Sequence, residues 1–333
     1  MRLISLLSFA AVSALAATRP HYGGVLRVEM RDAVETPDPP ASGPTIGTLN
    51  RAFTIKRWEA GRRATFTAND DAPGGRPFLD GVEIELGRPL RDQVIDLTVG
   101  KADVVELGPA EMRRVAGQRV WSSYPVRLVA LSFGPRVEDV RVREALGLAV
   151  DRAAIHSVLL QSQGEVTGAL LPQWLSGLAF LFPTATDIAR ARSLIMDVPP
   201  SSRTIRLGFD DPQWQTVASR IALNARDAGI AVTLAPAKAP ADVRLVEVRI
   251  ESADAAKALA AVAASLGLAE PARAEAPESL ALAERALLEG FRVIPLFHLP
   301  YVYGVGPRVQ GGPGIMPLGE WQFENLWIEA ARP

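Results

Sequence analysis

No cysteine occurs anywhere in the chain. That removes disulfides, thiolate nucleophiles and cysteine-bound metal, and with them the residue a lipid anchor would need behind an export leader. Apolar burial therefore has to hold the fold. Histidine is scarce: His21, His156 and His298 fall in three separate segments without metal-ligand spacing. His298 sits in a hydrophobic stretch and suits a core or hinge residue making one hydrogen bond better than a metal ligand. A Gly-x-Ser-x-Gly elbow is missing. Gly311-Gly312-Pro313-Gly314 lacks the lysine and the strand-to-helix setting of a phosphate loop, so it reads as a turn. Carboxylates are spread along the chain and no pair is marked out for hydrolysis. These residues lead us to expect no enzyme, no cofactor and no bound metal.

An excess of one charge is also missing. Lysine and arginine number 36 against 37 aspartates and glutamates, a net charge of −1, so neither nucleic acid nor an anionic membrane surface is an expected partner. The N-terminal stretch Met1 to Ala17, MRLISLLSFAAVSALAA, carries one positive charge, an apolar run and small residues at Ala14 and Ala16. This is the pattern of a secretory signal peptide. A membrane anchor is the alternative, but Leu3 to Ala17 falls short of the about 20 apolar residues that cross a bilayer. With no anchoring cysteine, the expectation is a free, monomeric periplasmic protein.

What is present is material for a large core. A chain of 333 residues with 48% hydrophobic content and a mean hydropathy of +0.12 suits two domains and can bury about three quarters of its unfolded surface. The organising stretch is Val126 to Leu160. Val126, Leu128, Val129, Ala130, Leu131 and Phe133 read as a strand buried on both faces, and Gly134-Pro135 ends it. Asp139 is placed to cap a helix whose apolar stripe is Val142, Ala145, Leu146 and Ala149, with Arg141, Arg143 and Glu144 outside it. Asp151 caps a second helix, with Ile155, Val158 and Leu159 inward and Arg152 and His156 nearer to solvent.

The run from Asp139 to Ile155, D-x-R-V-R-x-A-L-x-x-A-x-D-R-x-A-I, resembles the extracellular solute-binding proteins of peptide and nickel ABC transporters, often called family 5. Other segments resemble the same family in the same order. They include Tyr22-Gly23-Gly24 before an alternating strand at Val25 to Met30, the short Asp38-Pro39 element, and a hairpin over Ala52–Trp58 and Ala64–Asn69. After it come Gly74 to Ile84, a helix over Arg91–Leu97, Gly100 to Leu107 and a helix over Pro109–Val115. Further along are Gly168 to Trp174, Asp227 to Val232 and a return strand over Arg292–Gly304. In the family roughly a hundred or more residues separate the Asp-Pro from the hairpin. Here only Pro40 to Gly47 intervene.

The resemblance implies an α/β, two-lobed periplasmic-binding-protein-like fold of type II, with the first lobe reduced by a deletion. Lobe I is expected over 18–130 with 297–333 and lobe II over 131–296, closing about crossings near Leu131 and Leu296. It implies the substrate-binding component of an ABC importer, holding a small solute or short peptide between the lobes and docking on ABC permease subunits. The alternative is a periplasmic scaffold or interaction protein that keeps the fold without ligand capture. Trp174, Tyr301 and Tyr303 are the aromatic ligand-binding candidates, weighed against ordinary packing. Family members commonly hold a peptide amino terminus with an aspartate after the strand matched by Val243–Ile250. Here the place reads Arg249-Ile250-Glu251-Ser252-Ala253-Asp254, without the family's Gly-Trp and Asp-Pro motifs. Arg249 is the candidate for an anion and Glu251 or Asp254 for a cation, weighed against a solvated pair at a strand end.

Overall fold

The computed structural model describes residues 19–36, 46–178, 181–236, 239–274 and 276–329. The expected leader, the Asp38-Pro39 element and most of the connector after it lie outside them. The first half of the chain contributes β1 (Val25–Glu29), the hairpin β2 (Phe53–Glu59) and β3 (Arg63–Ala68), β4 (Gly81–Glu85), α1 (Leu90–Thr98) and β5 (Val104–Glu106). The long strand β6 (Arg119–Phe133) leads into α2 (Val140–Ala149), α3 (Arg152–Ala154), β7 (Glu165–Val166), α4 (Gln173–Ser176) and α5 (Ile188–Ile195). Then come β8 (Thr204–Phe209), α6 (Gln215–Asp227), β9 (Ala231–Leu234), β10 (Val243–Arg249), α7 (Ala255–Ser265) and α8 (Pro277–Leu288). The second long strand, β11 (Val293–Val305), returns the chain to the first half, where β12 (Val309–Gln310) and β13 (Trp327–Ile328) form a separate ribbon.

One mixed sheet runs through both halves in the order β2-β3-β4-β1-β5-β11-β6-β10-β8-β9, with β7 added to β11. β6 and β11 are its spine. Their first-half ends pair Arg119–Ser122 with Val302–Val305 beside β5, and their second-half ends pair Arg127–Ser132 with Val293–Leu299 beside β10. Between these zones Pro125 stands opposite Pro300. Neither can donate a ladder hydrogen bond, and the register shifts on both sides of Pro300. The sheet therefore changes partners at a seam where its own spine is weakest.

β6 is buried on both faces, as its apolar run predicts. Val129, Leu131 and Phe133 join the core under α2, α5 and α6, whereas Val126, Leu128 and Ala130 face a core roofed by α7 and α8. That second core continues into the first half through Leu26, Phe53, Phe66 and Val82. Asp139 and Asp151 cap as expected, accepting from the backbone N–H of Arg141 and of Ala154, each at 2.9 Å.

Three expectations are corrected. The segment Pro109–Val115 is a series of turns rather than a helix, closed by three-residue bonds such as Glu111 N–H to Gly108 O and Arg114 N–H to Glu111 O; Met112 and Val115 alone anchor it to the core, too little for a helical face. Val158 is exposed, because residues 155–159 form a π turn whose extra residue rotates it outward. Arg152, expected near solvent, is 4% exposed, and Arg143 is buried as well. Each satisfies backbone carbonyls at the ends of other elements, Arg143 those of Val137, Glu138 and Gly290 at 2.7–2.9 Å. Helical periodicity cannot register such partners, since they belong to other segments.

Candidate functional site

Four parallel-sheet strands, two from each half, end at the seam. β1 and β5 run parallel on one side, β8 and β10 on the other, and the carboxyl ends of all four approach the Pro125–Pro300 crossing. In open α/β sheets that end of the strands is where ligands bind, because the backbone turns away there and leaves a crevice. The residues just past these ends are charged: Arg31 and Asp32 after β1, Glu106 closing β5, Asp211 after β8, Arg249 closing β10.

These side chains form a connected cluster. The Arg31 backbone N–H donates to the Glu106 carboxylate at 2.5 Å, while its guanidinium pairs with Asp211 of the other half at 2.9 Å. Arg127 on β6 pairs with Glu247 on β10 at 3.2 Å, donates to the Pro300 carbonyl at 2.8 Å, and lies 4.8 Å above the Tyr301 ring. Arg249 approaches that ring at 5.7 Å and donates to the Leu318 carbonyl at 3.2 Å. Two guanidinium groups thus lie within cation–π range of the Tyr301 ring. Gly319 closes over the ring with φ +89°, where a Cβ would come within 2.6 Å of it.

Burial sets the protonation of the cluster. Glu106 is pushed up to about 7, first by burial and then by Asp32, with Arg31 partly opposing. The Tyr301 hydroxyl is pushed up to about 12 by burial, and Tyr303, its fellow on β11 and the cross-strand neighbour of Glu106, well above the ordinary range for the same reason. For Arg127 burial is the largest influence and opposes the charge, but Glu247 together with Tyr301 and Tyr303 more than restores it. Tyr301 Oη and Arg127 Nε are among the buried atoms with no hydrogen-bond partner among the described residues. Unpaired buried polar atoms cost about 1–3 kcal/mol each, so a polar group reaching them gains that much beyond its own contacts.

Of the residues chosen from sequence, Tyr301, Tyr303 and Arg249 come together here. Trp174 sits alongside, donating Nε1–H to the Pro125 carbonyl at 3.3 Å and packing on Tyr124 at 5.1 Å. Glu251 is exposed beyond the end of β10 and Asp254 caps α7 through the Lys257 N–H, so neither joins the cluster. Arg31, Glu106, Arg127, Asp211 and Glu247 were not singled out from sequence. Their available signal is position, a charged residue inside or just after a buried strand.

The chain belongs to the bacterial extracellular solute-binding proteins, family 5, whose middle-region pattern matches residues 8–263. It is similar to the oligopeptide-binding protein AppA of Bacillus subtilis, 29% identical over 145 residues that make up 41% of this chain and 26% of the relative. Among solved structures it resembles a dipeptide-binding protein from Pseudoalteromonas in complex with Met-Leu, at 14% identity and a TM-score of 0.69, covering 84% of this chain and 64% of that one. The murein tripeptide binding protein MppA of Escherichia coli is similar at 16% identity and a TM-score of 0.69, covering 83% and 64%. The chain thus spans about a quarter of the curated relative's length and just under two thirds of the two solved chains. The family and the type II binding-protein fold read from motif order are those of the chain.

Proposed function

We propose that this protein is the substrate-binding component of an ABC importer, capturing a short peptide or small solute at the seam and delivering it to membrane permease subunits. The observation that carries this reading is the convergence of four strand ends, two from each half, on Tyr301 and its flanking arginines. The two lobes close on the solute, and β6 and β11 flex where Pro125 faces Pro300 rather than at the expected crossings near Leu131 and Leu296, so the boundaries between lobe I and lobe II move to Pro125 and Pro300. Contacts to both lobes favour the closed form in proportion to the ligand's preference for it. Arg31 and Asp211 already bridge the halves, so the ligand adds to an existing attraction. The chemistry at the seam suits a zwitterion: Arg127 and Arg249 meet a carboxylate, Glu106 and Glu247 an amine.

The relatives named above are a dipeptide-binding protein, an oligopeptide-binding protein and a murein tripeptide binding protein, which supports short peptides as the solute class. Binding rather than catalysis is the whole of the activity. The leader at 1–17 exports the chain, and without a cysteine it works as a free periplasmic monomer. Calorimetric titration with a panel of di- to pentapeptides tests the reading: saturable heat with at least one, weakened tenfold or more by Arg127→Ala, is expected. If no peptide gives heat or a thermal shift, capture at the seam is wrong; a partner then co-purifying with the native protein supports the scaffold alternative.

A further inference from the structure

The second half of the chain holds a partly open cavity of about 260 Å³ between α2, the end of α8 and the start of β11, and none of the seam residues lines it. Leu148, Phe182, Leu288, Phe291 and Ile294 make its walls apolar. Phe291 takes φ +50°, a left-handed conformation that costs an aromatic residue about 1 kcal/mol or more. The turn after α8 accepts that cost and places the Phe291 ring on the cavity.

The polar lining is Arg152, together with Glu144 and Arg190. The last two pair with each other at 2.6 Å. Arg152 is different. At 4% exposure, it donates Nε–H to the Pro295 carbonyl at 3.2 Å and Nη1–H to the carbonyls of Gly147 and Thr184 at 3.2 and 3.4 Å. Its Nη2 makes no hydrogen bond, and no carboxylate lies within ion-pair distance, among the described residues. Burial lowers its pKa to about 10, so it stays charged at neutral pH. A buried guanidinium without a counter-charge is expensive, and a carboxylate is the group whose geometry matches its fork.

We propose that this cavity binds a small carboxylate with an apolar body, an aryl- or alkylcarboxylate whose acid group meets Arg152 Nη2 and whose ring or chain lies along the apolar wall built by Leu148, Ile294 and the edge-to-face pair Phe182 and Phe291. Size favours this class. An apolar cavity of about 150 Å³ accepts benzene, so one of about 260 Å³ has room for a ring and a short acid arm. The Glu144–Arg190 pair leaves Arg152 as the net charge of the lining, which selects against amines.

Titration of the full chain with 3-phenylpropionate and its neutral isostere 3-phenylpropanamide, by calorimetry, tests the site. One saturable site is expected, with the carboxylate binding at least about tenfold tighter than the amide, a difference of about 1.4 kcal/mol. Arg152→Lys keeps the charge but loses the planar fork and is expected to weaken the carboxylate about tenfold. Leu148→Trp fills the cavity from its wall with Arg152 intact and is expected to abolish binding while thermal unfolding remains cooperative. Equal binding of acid and amide, no saturation up to about 10 mM, or undiminished binding by a folded Leu148→Trp protein would each overturn the proposal.

Discussion

Arg31 and Asp211 meet at 2.9 Å across the seam, one following the first strand of the first half and the other following β8 of the second. Both side chains are about one third exposed, at 28% and 32%. The pair is worth about 0.2–1 kcal/mol by the usual measure of such contacts. That suits a latch, since a stronger bridge would hold the halves shut without a ligand. Asp211→Asn is expected to shift the ligand-free protein toward a more open form, seen as a larger radius of gyration in X-ray scattering, and to weaken the solute about two- to fivefold. An unchanged scattering profile would remove Arg31–Asp211 from the closure mechanism.

Replacing Tyr301 by Phe separates stability from binding. The wild-type hydroxyl is buried without a partner among the described residues, so its loss is expected to leave the free protein as stable or more stable by about 1 kcal/mol in urea unfolding. The same substitution is expected to weaken the solute about fivefold or more. If affinity is unaffected, the hydroxyl does not face the ligand.

The pH dependence of stability follows from Glu106 and Glu284, both pushed up to about 7 chiefly by burial. A carboxyl whose folded pKa is raised binds its proton more tightly in the native state. Its contribution is full below the unfolded value near 4.5 and is lost as pH rises through about 7. Melting temperature is therefore expected to fall between pH 5 and pH 8, with each residue contributing on the order of 1–3 kcal/mol. Glu284 is fully buried on α8 and accepts from the backbone N–H groups of Leu170 and Leu171, the latter at 2.9 Å, with its second oxygen unpaired among the described residues. Glu284→Gln, neutral throughout, is expected to flatten that slope; a slope equal to wild type would show that Glu284 titrates normally.

Gly319→Ala tests how tightly the C-terminal segment closes over the site. The left-handed φ and a Cβ at 2.6 Å from the Tyr301 ring together predict a loss of about 2–4 kcal/mol. Denaturant unfolding measures it. A loss under 1 kcal/mol would mean that the segment moves aside freely.

Much of the fold was legible because its signals are local. The β6 run has no polar break and came out buried on both faces, Asp139 and Asp151 capped the helices they precede, and the order of family motifs carried the topology. The π turn that exposes Val158 and the turns at 109–115 were not legible, since each depends on how a short segment meets the rest of the core. The candidate site proposed at the seam was half legible. Tyr301, Tyr303 and Arg249 stood out by residue type, whereas Arg31, Glu106, Arg127, Asp211 and Glu247 looked like ordinary charges on five separated segments.

Sequence alone determined the family, the class of fold and the two long apolar strands that cross between the halves, because alternation, caps and motif spacing act over a few residues at a time. Tertiary structure alone decided which charges meet, that Pro125 faces Pro300, and that Arg152 lies buried beside a cavity. Those facts rest on strand register and on contacts between residues far apart in the chain, and no local preference encodes them.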